Sequence, residues 1–188
     1  MELSSKEKEI LLLTARESIR SLFGKVDIPT ADFKAFPNLR LKAGAFVTLK
    51  IKGDLRGCIG FITSEQPLFD TICEVAKHAA VQDPRFPPLT PQEFNSIDIE
   101  ISVLSPMKKI SDYDEIIIGK HGLLVEEGLH RGLLLPQVAT ENDYSVQQFL
   151  TSICMKAGLS PDLWQRKKIN LKVFTALVFN EERGEANE

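Results

Sequence analysis

Cysteine is scarce in this chain of 188 residues, and Cys58, Cys73 and Cys154 stand far apart with no C-x-x-C arrangement among them. That spacing excludes a disulfide framework and a zinc-finger pattern, so thiols are expected. Histidine is equally sparse: His78, His121 and His130 lack the spacing of metal ligands, and no metal site is expected. No G-x-S-x-G, G-x-G-x-x-G, P-loop or H-E-x-x-H occurs, so nucleotide and common hydrolase chemistry has no footprint and no cofactor is expected. Nor does any run approach the roughly 18 apolar residues of a membrane span, and Met1–Lys8 carries no signal core. A cytoplasmic protein with no membrane partner is the expectation. With 23 basic residues against 26 acidic ones, net charge -3, nucleic acid is disfavoured as a partner. Trp164-Gln165-Arg166-Lys167-Lys168 is a local exception, read as a solvated connector.

What is present is an ordinary globular composition, 43% hydrophobic and 26% charged, enough for one sizeable core or two small ones. One stretch concentrates chemistry. Ala45–Lys52 alternates as a strand, with Ala45, Val47, Leu49 and Ile51 on one face. Gly53-Asp54 then offers a tight turn, and the chain returns through Leu55-Arg56-Gly57-Cys58-Ile59-Gly60. On simple alternation Arg56 and Cys58 share a face with alpha-carbons about 6.5 to 7 Å apart. A guanidinium at that range would favour a thiolate, whereas a free cysteine is also one of the most buried residue types, a small hydrophobe.

Along the rest of the chain, Ser4-x-x-Glu7 is a capping box that opens an amphipathic helix running to Gly24. Ser64 can cap a second helix with Pro67 in its first turn. The loop Gln82–Pro88 holds three prolines, a stiff mount for Asp83, Arg85 and Phe86 as a binding rim or as a rigid connector with an Asp83/Arg85 pair. Thr90-Pro91-Gln92-Glu93 is a second capping box. Ile97–Val103 alternates cleanly, and its polar residues Asp98, Glu100 and Ser102 would share a face with Arg56 and Cys58 as one wall of a cleft, Glu100 or Asp98 pairing Arg56. After a boundary at Ser105-Pro106, Ile116–Ile118, Gly122–Glu126 and Arg131–Leu135 read as three short strands. Asp143 can cap a further helix ending at Gly158. Leu171–Phe179 reads as one final strand returning to the first sheet, and the acidic residues after it as a disordered tail.

The run from Leu55 to Gly60 resembles, without substitution, the signature of the AMMECR domain family. Asp83-Pro84-Arg85-Phe86, the strand into Ser105-Pro106, Gly122-Leu123, Leu134-Leu135-Pro136 and Lys156-Ala157-Gly158 also follow the family order. The resemblance implies an α+β fold of two subdomains, each with an antiparallel β-sheet flanked by helices, and a cleft between them. The larger is expected over residues 1–105 plus 169–180, the smaller over 106–168, with 181–188 as the acidic tail. It implies a cleft lined by Leu55, Arg56, Gly57, Cys58, Ile59 and Gly60, to which the loop and strand patterns add Asp83, Arg85, Phe86 and Glu100. It also implies association with Memo-type and radical S-adenosylmethionine proteins, but no reaction.

Two functions compete on these residues. One is an accessory binding protein whose cleft takes a protein segment or other large ligand. The other is a cysteine-dependent enzyme with Cys58 as nucleophile, Arg56 as thiolate stabiliser or anion clamp and His78, His121 or Asp83 as base.

Overall fold

The computed structural model describes residues 2–181. The expected acidic tail therefore lies, apart from Glu181, outside the described residues. The chain divides into two compact units, one comprising the residues up to Val103 with those from Leu177 onward, the other Leu104–Ala176. Each is an antiparallel sheet flanked by helices, so the fold is α+β with two sheet-containing units.

The first unit opens with helix α1, Ser5–Arg20. The expected box is in place: Ser4 Oγ accepts from the Glu7 amide at 3.2 Å while Glu7 Oε2 accepts from the Ser4 amide at 2.8 Å. These bonds satisfy two donors that a helix start leaves open. Strands β1, Ala45–Ile51, and β2, Asp54–Phe61, form the expected hairpin. Its turn is Lys52-Gly53, one residue earlier than the sequence suggested, because Ile51 pairs directly with Asp54. Both turn residues lie in the left-handed region, Lys52 at φ 53° and Gly53 at φ 88°, as a two-residue turn matching the strand twist requires.

Helix α2, Leu68–Val81, follows. Ser64 does not cap it: Pro67 stands at the N-cap, and Ser64 Oγ instead accepts from the Gln66 amide and the Thr71 hydroxyl. The short helix α3, Pro91–Phe94, carries the expected Thr90/Glu93 box. Strand β3, Ile97–Leu104, pairs with β1. The sheet order is β2-β1-β3-β8, where β8 is Ala176–Asn180. Val47, Leu49, Ile99 and Ile101 are fully buried against Leu11, Ala15 and Ile19 of α1 and Ile72, Val75 and Ala76 of α2. The clean alternation of β1 and β3 is thus the signature of a sheet with one face on helices.

In the second unit the strands are β4, Lys108–Lys109; β5, Gly122–Glu127; β6, His130–Leu134; and β7, Leu171–Phe174, in the order β4-β7-β5-β6. Helices α4, Pro136–Glu141, α5, Val146–Lys156, and α6, Leu163–Arg166, complete it. Phe149, Leu150 and Ile153 of α5 are buried with Leu123, Val125, Leu171 and Val173.

Ile116–Ile118 is not a strand: a 3₁₀ turn over Tyr113–Glu115, capped by Asp112, precedes it and leaves Ile116 buried as a plug. Asp143 does not cap α5. It sits at φ 51°, and Ser145 caps instead, in a box with Gln148. Finally, the single strand expected over Leu171–Phe179 is two. It breaks at Thr175, where the Ser105 amide donates to the Thr175 carbonyl at 2.8 Å and Ser105 Oγ accepts from the Thr175 amide at 2.9 Å. β7 thereby joins the second sheet and only β8 returns to the first.

Candidate functional site

β2 ends the first sheet, and its seat depends on absent side chains. A Cβ at Gly57 would stand 2.2 Å from the carbonyl oxygen of Ala79 in α2, so the strand can lie on the helix only with glycine there. At Gly60 a Cβ would meet the Phe46 ring at 2.4 Å and the Ala45 carbonyl oxygen at 2.3 Å.

The pairing of β1 with β2 runs regularly from Ala45↔Phe61 to Leu49↔Gly57 and then steps to Lys50↔Leu55. Arg56 is the extra residue of a β-bulge, so simple alternation does not place it beside Cys58. Its guanidinium reaches α3 instead. Nε and Nη2 donate to Glu93 Oε1 and Oε2 at 2.8 and 3.1 Å, and Nη2 also donates to the Pro87 carbonyl at 3.0 Å. The Arg56 side chain is only 11% exposed. Glu100, expected as the partner of Arg56, lies opposite Thr48 and pairs with Lys50 Nζ at 3.1 Å. The bulge carries Arg56 away from that row.

Glu93 was legible only as a capping residue. Its Oε2 accepts from the Thr90 amide and hydroxyl, each at 2.9 Å, while both carboxylate oxygens hold Arg56. The Arg56 guanidinium, then the Thr90 amide, holds the Glu93 carboxyl down at about 2.

Cys58 sits opposite Thr48, whose hydroxyl donates to Sγ at 3.2 Å. Its amide points away from β1 and donates to Asp83 Oδ2 at 2.9 Å. The pair Thr48↔Cys58 is therefore a non-hydrogen-bonded one, the kind that brings opposite side chains closest. Arg85 closes the ring. Its Nε and Nη2 donate to Asp83 Oδ1 and Oδ2 at 2.9 and 2.7 Å, and Nη2 lies 3.4 Å from the Cys58 carbonyl oxygen. The Asp83/Arg85 pair is thus present, and it clamps the main chain of Cys58. The Arg85 guanidinium drives the Asp83 carboxyl far below the usual carboxylate range, helped by the amides of Cys58 and Arg85.

Phe86 stands between the two clamps, its ring centroid 5.8 Å from Cζ of Arg56 and 5.5 Å from Cζ of Arg85. Asp83 is buried, Arg85 exposed and Phe86 half-buried. The rim offers a guanidinium and an aromatic edge, and on β2 the Leu55 side chain is exposed.

The model of the AMMECR1 family matches residues 12–179. The chain belongs to the AMMECR1 family. Among proteins similar to it, one from Methanothermobacter thermautotrophicus is 43% identical over 188 residues, 96% of this chain and 97% of the relative. One from Methanopyrus kandleri is 47% identical over 160 residues, 79% of this chain and 77% of the relative. The crystal structure of the uncharacterized protein PH0010 from Pyrococcus horikoshii is similar with a TM-score of 0.88 at 38% identity, covering 97% of this chain and 95% of that one.

In this AMMECR1-family chain the carboxylates beside the signature strand are committed to ion pairs. Asp83 and Glu93 are both locked to guanidinium groups and acidified by them, which removes their capacity to take a proton near neutral pH. His78 is on α2, edge-on to the Phe61 ring at 6.1 Å. His121 belongs to the second unit, where its Nδ1 accepts from the Ile117 amide. Among the described residues the hydroxyl of Thr48 is the side-chain group bonded to Cys58 Sγ, and no group of three or more His, Cys, Asp or Glu side chains is placed to hold a metal ion. No helix among them is long and apolar enough to cross a membrane.

Proposed function

We propose that this AMMECR1-family chain is an accessory binding protein, and that β2 with the Asp83–Pro88 loop takes a protein segment or other large ligand. The Memo-type and radical S-adenosylmethionine proteins implied by the family resemblance are the partners we assign to it. One observation carries the reading: Arg56 and Arg85 are each held in a bidentate carboxylate pair that organises backbone, and these pairs fix the exposed Arg85 guanidinium beside the Phe86 ring. Preorganised arginine and aromatic groups are what binding hot spots are made of. The same ion pairs acidify Asp83 and Glu93, so neither carboxylate takes a proton near neutral pH.

Hydrogen exchange tests this. Adding the purified Memo-type or radical S-adenosylmethionine protein encoded in the same genome should slow amide exchange over residues 54–62 and 83–88. Exchange over α5 in the second unit should not change. Partner binding that leaves both segments of the first unit unprotected would move the contact elsewhere and overturn the proposal.

A further inference from the structure

The two ends of the first sheet are treated differently. At β2 the outward amide and carbonyl of Cys58 are covered by Asp83 and Arg85, and a bulge at Arg56 shifts the pairing register. Charged plugs and bulges of this kind stop a sheet edge from pairing with another chain. At the other end, among the described residues, no strand lies beyond β8.

β8 is well held on its inner side. The Glu181 amide donates to the Ile99 carbonyl at 3.0 Å, and the Thr175 carbonyl accepts from the Ser105 amide. The Glu181 carboxylate accepts from the Ile99 amide and pairs with Arg16 of α1. Residues 175 and 181 thus turn their backbone groups inward, and by strand parity Ala176, Val178 and Asn180 turn theirs outward. Val178 is the centre of the strand. The three outward residues are disposed symmetrically about it, so an antiparallel copy related by a two-fold axis at Val178 would engage the amide and carbonyl of each.

Alongside this edge runs a groove of about 1010 Å³ between α1 and β8. Leu12 and Leu13 of α1 and Val178 line it, with Leu13 51% and Val178 43% exposed. Its charged lining is balanced, Lys8 and Arg16 against Glu9 and Glu181. Arg16 and Glu181 already pair with each other, so the lining gives a strongly acidic or basic peptide no net attraction, whereas a second copy brings Lys8 and Glu9 in reversed order, as an isologous interface requires.

We propose that β8 is a homodimer edge: two copies pair β8 to β8 about Val178, and the α1 leucines of each close over the joint. This surface is separate from the Cys58 region.

The test is sedimentation equilibrium of the full chain up to about 0.5 mM. Wild type should form a dimer. Val178→Pro removes an outward amide without touching the ladder to β3, and should weaken the dimer by about a hundredfold or more. Leu13→Glu, on the helix surface and away from the strand, should weaken it comparably should the proline variant fail to fold. Val178→Thr should keep the dimer. A wild type that stays monomeric at the highest concentration overturns the proposal, as does a dimer indifferent to both disruptive variants. So does a chain that dimerises only once residues 182–188 are removed, since its own C-terminal segment would then occupy the edge.

Discussion

Gly57→Ala is expected to destabilise the protein by about 3 kcal/mol or more, lowering the melting temperature by about 10 °C. The added methyl would stand 2.2 Å from the Ala79 carbonyl oxygen and 3.3 Å from its carbon. Both are backbone atoms of α2, so no side chain can rotate out of the way. Relief requires β2 to lift from the helix, which would also drag Cys58 away from Asp83. Gly24→Ala is the control. Nothing lies within 4 Å of a Cβ there, and its effect should stay within about 0.5 kcal/mol. Equal melting temperatures for the two variants would contradict the packing argument.

Asp83→Ala is the second large effect. The carboxylate accepts from the amides of Cys58 and Arg85 and from both arms of the Arg85 guanidinium. It is only 4% exposed. Its loss leaves two main-chain donors and a cation without their acceptor, an expected loss of about 2 to 4 kcal/mol. Asp83→Asn keeps an acceptor for the Cys58 amide and should lose less. The same pairs predict acid sensitivity. Asp83 and Glu93 both have folded values depressed from their ordinary 3.8 and 4.5. The stability they contribute is therefore present above the ordinary carboxylate range and is lost as pH falls through about 4.5 toward 2. For Glu93, a third exposed and so partly screened, the loss should be about 1 to 2 kcal/mol. Melting curves of wild type and Glu93→Gln should converge over that window, and curves that stay parallel would rule the linkage out.

Much of the first unit was legible because its signals are local. The boxes at Ser4/Glu7 and Thr90/Glu93 and the alternation in β1 and β3 need only neighbouring residues to be read. The pairing of Asp83 with Arg85 was legible for the same reason, two residues on a proline-stiffened loop. The partner of Arg56 was not. It depends on a bulge, which exists only in the register between two strands and leaves no mark on β2 alone. Glu93 could have been found by asking what else a capping carboxylate four residues from Phe86–Leu89 might reach, since one oxygen of a box glutamate is left free to bond elsewhere. The division of Leu171–Phe179 was hidden for a different reason. Val173, Phe174, Ala176 and Leu177 continue one apolar run across Thr175, and which sheet each half joins is decided by Ser105, about 70 residues away in sequence.

On the proposed function, the Cys58 region binds through its rim and uses the cysteine as packing. Calorimetric titration of one partner protein into wild type, Cys58→Ser and Arg85→Ala tests it most directly. Cys58→Ser should bind within about twofold of wild type, while Arg85→Ala should lose about tenfold or more. Full affinity in Arg85→Ala together with loss of binding in Cys58→Ser would contradict it and return the thiol to the centre of the site.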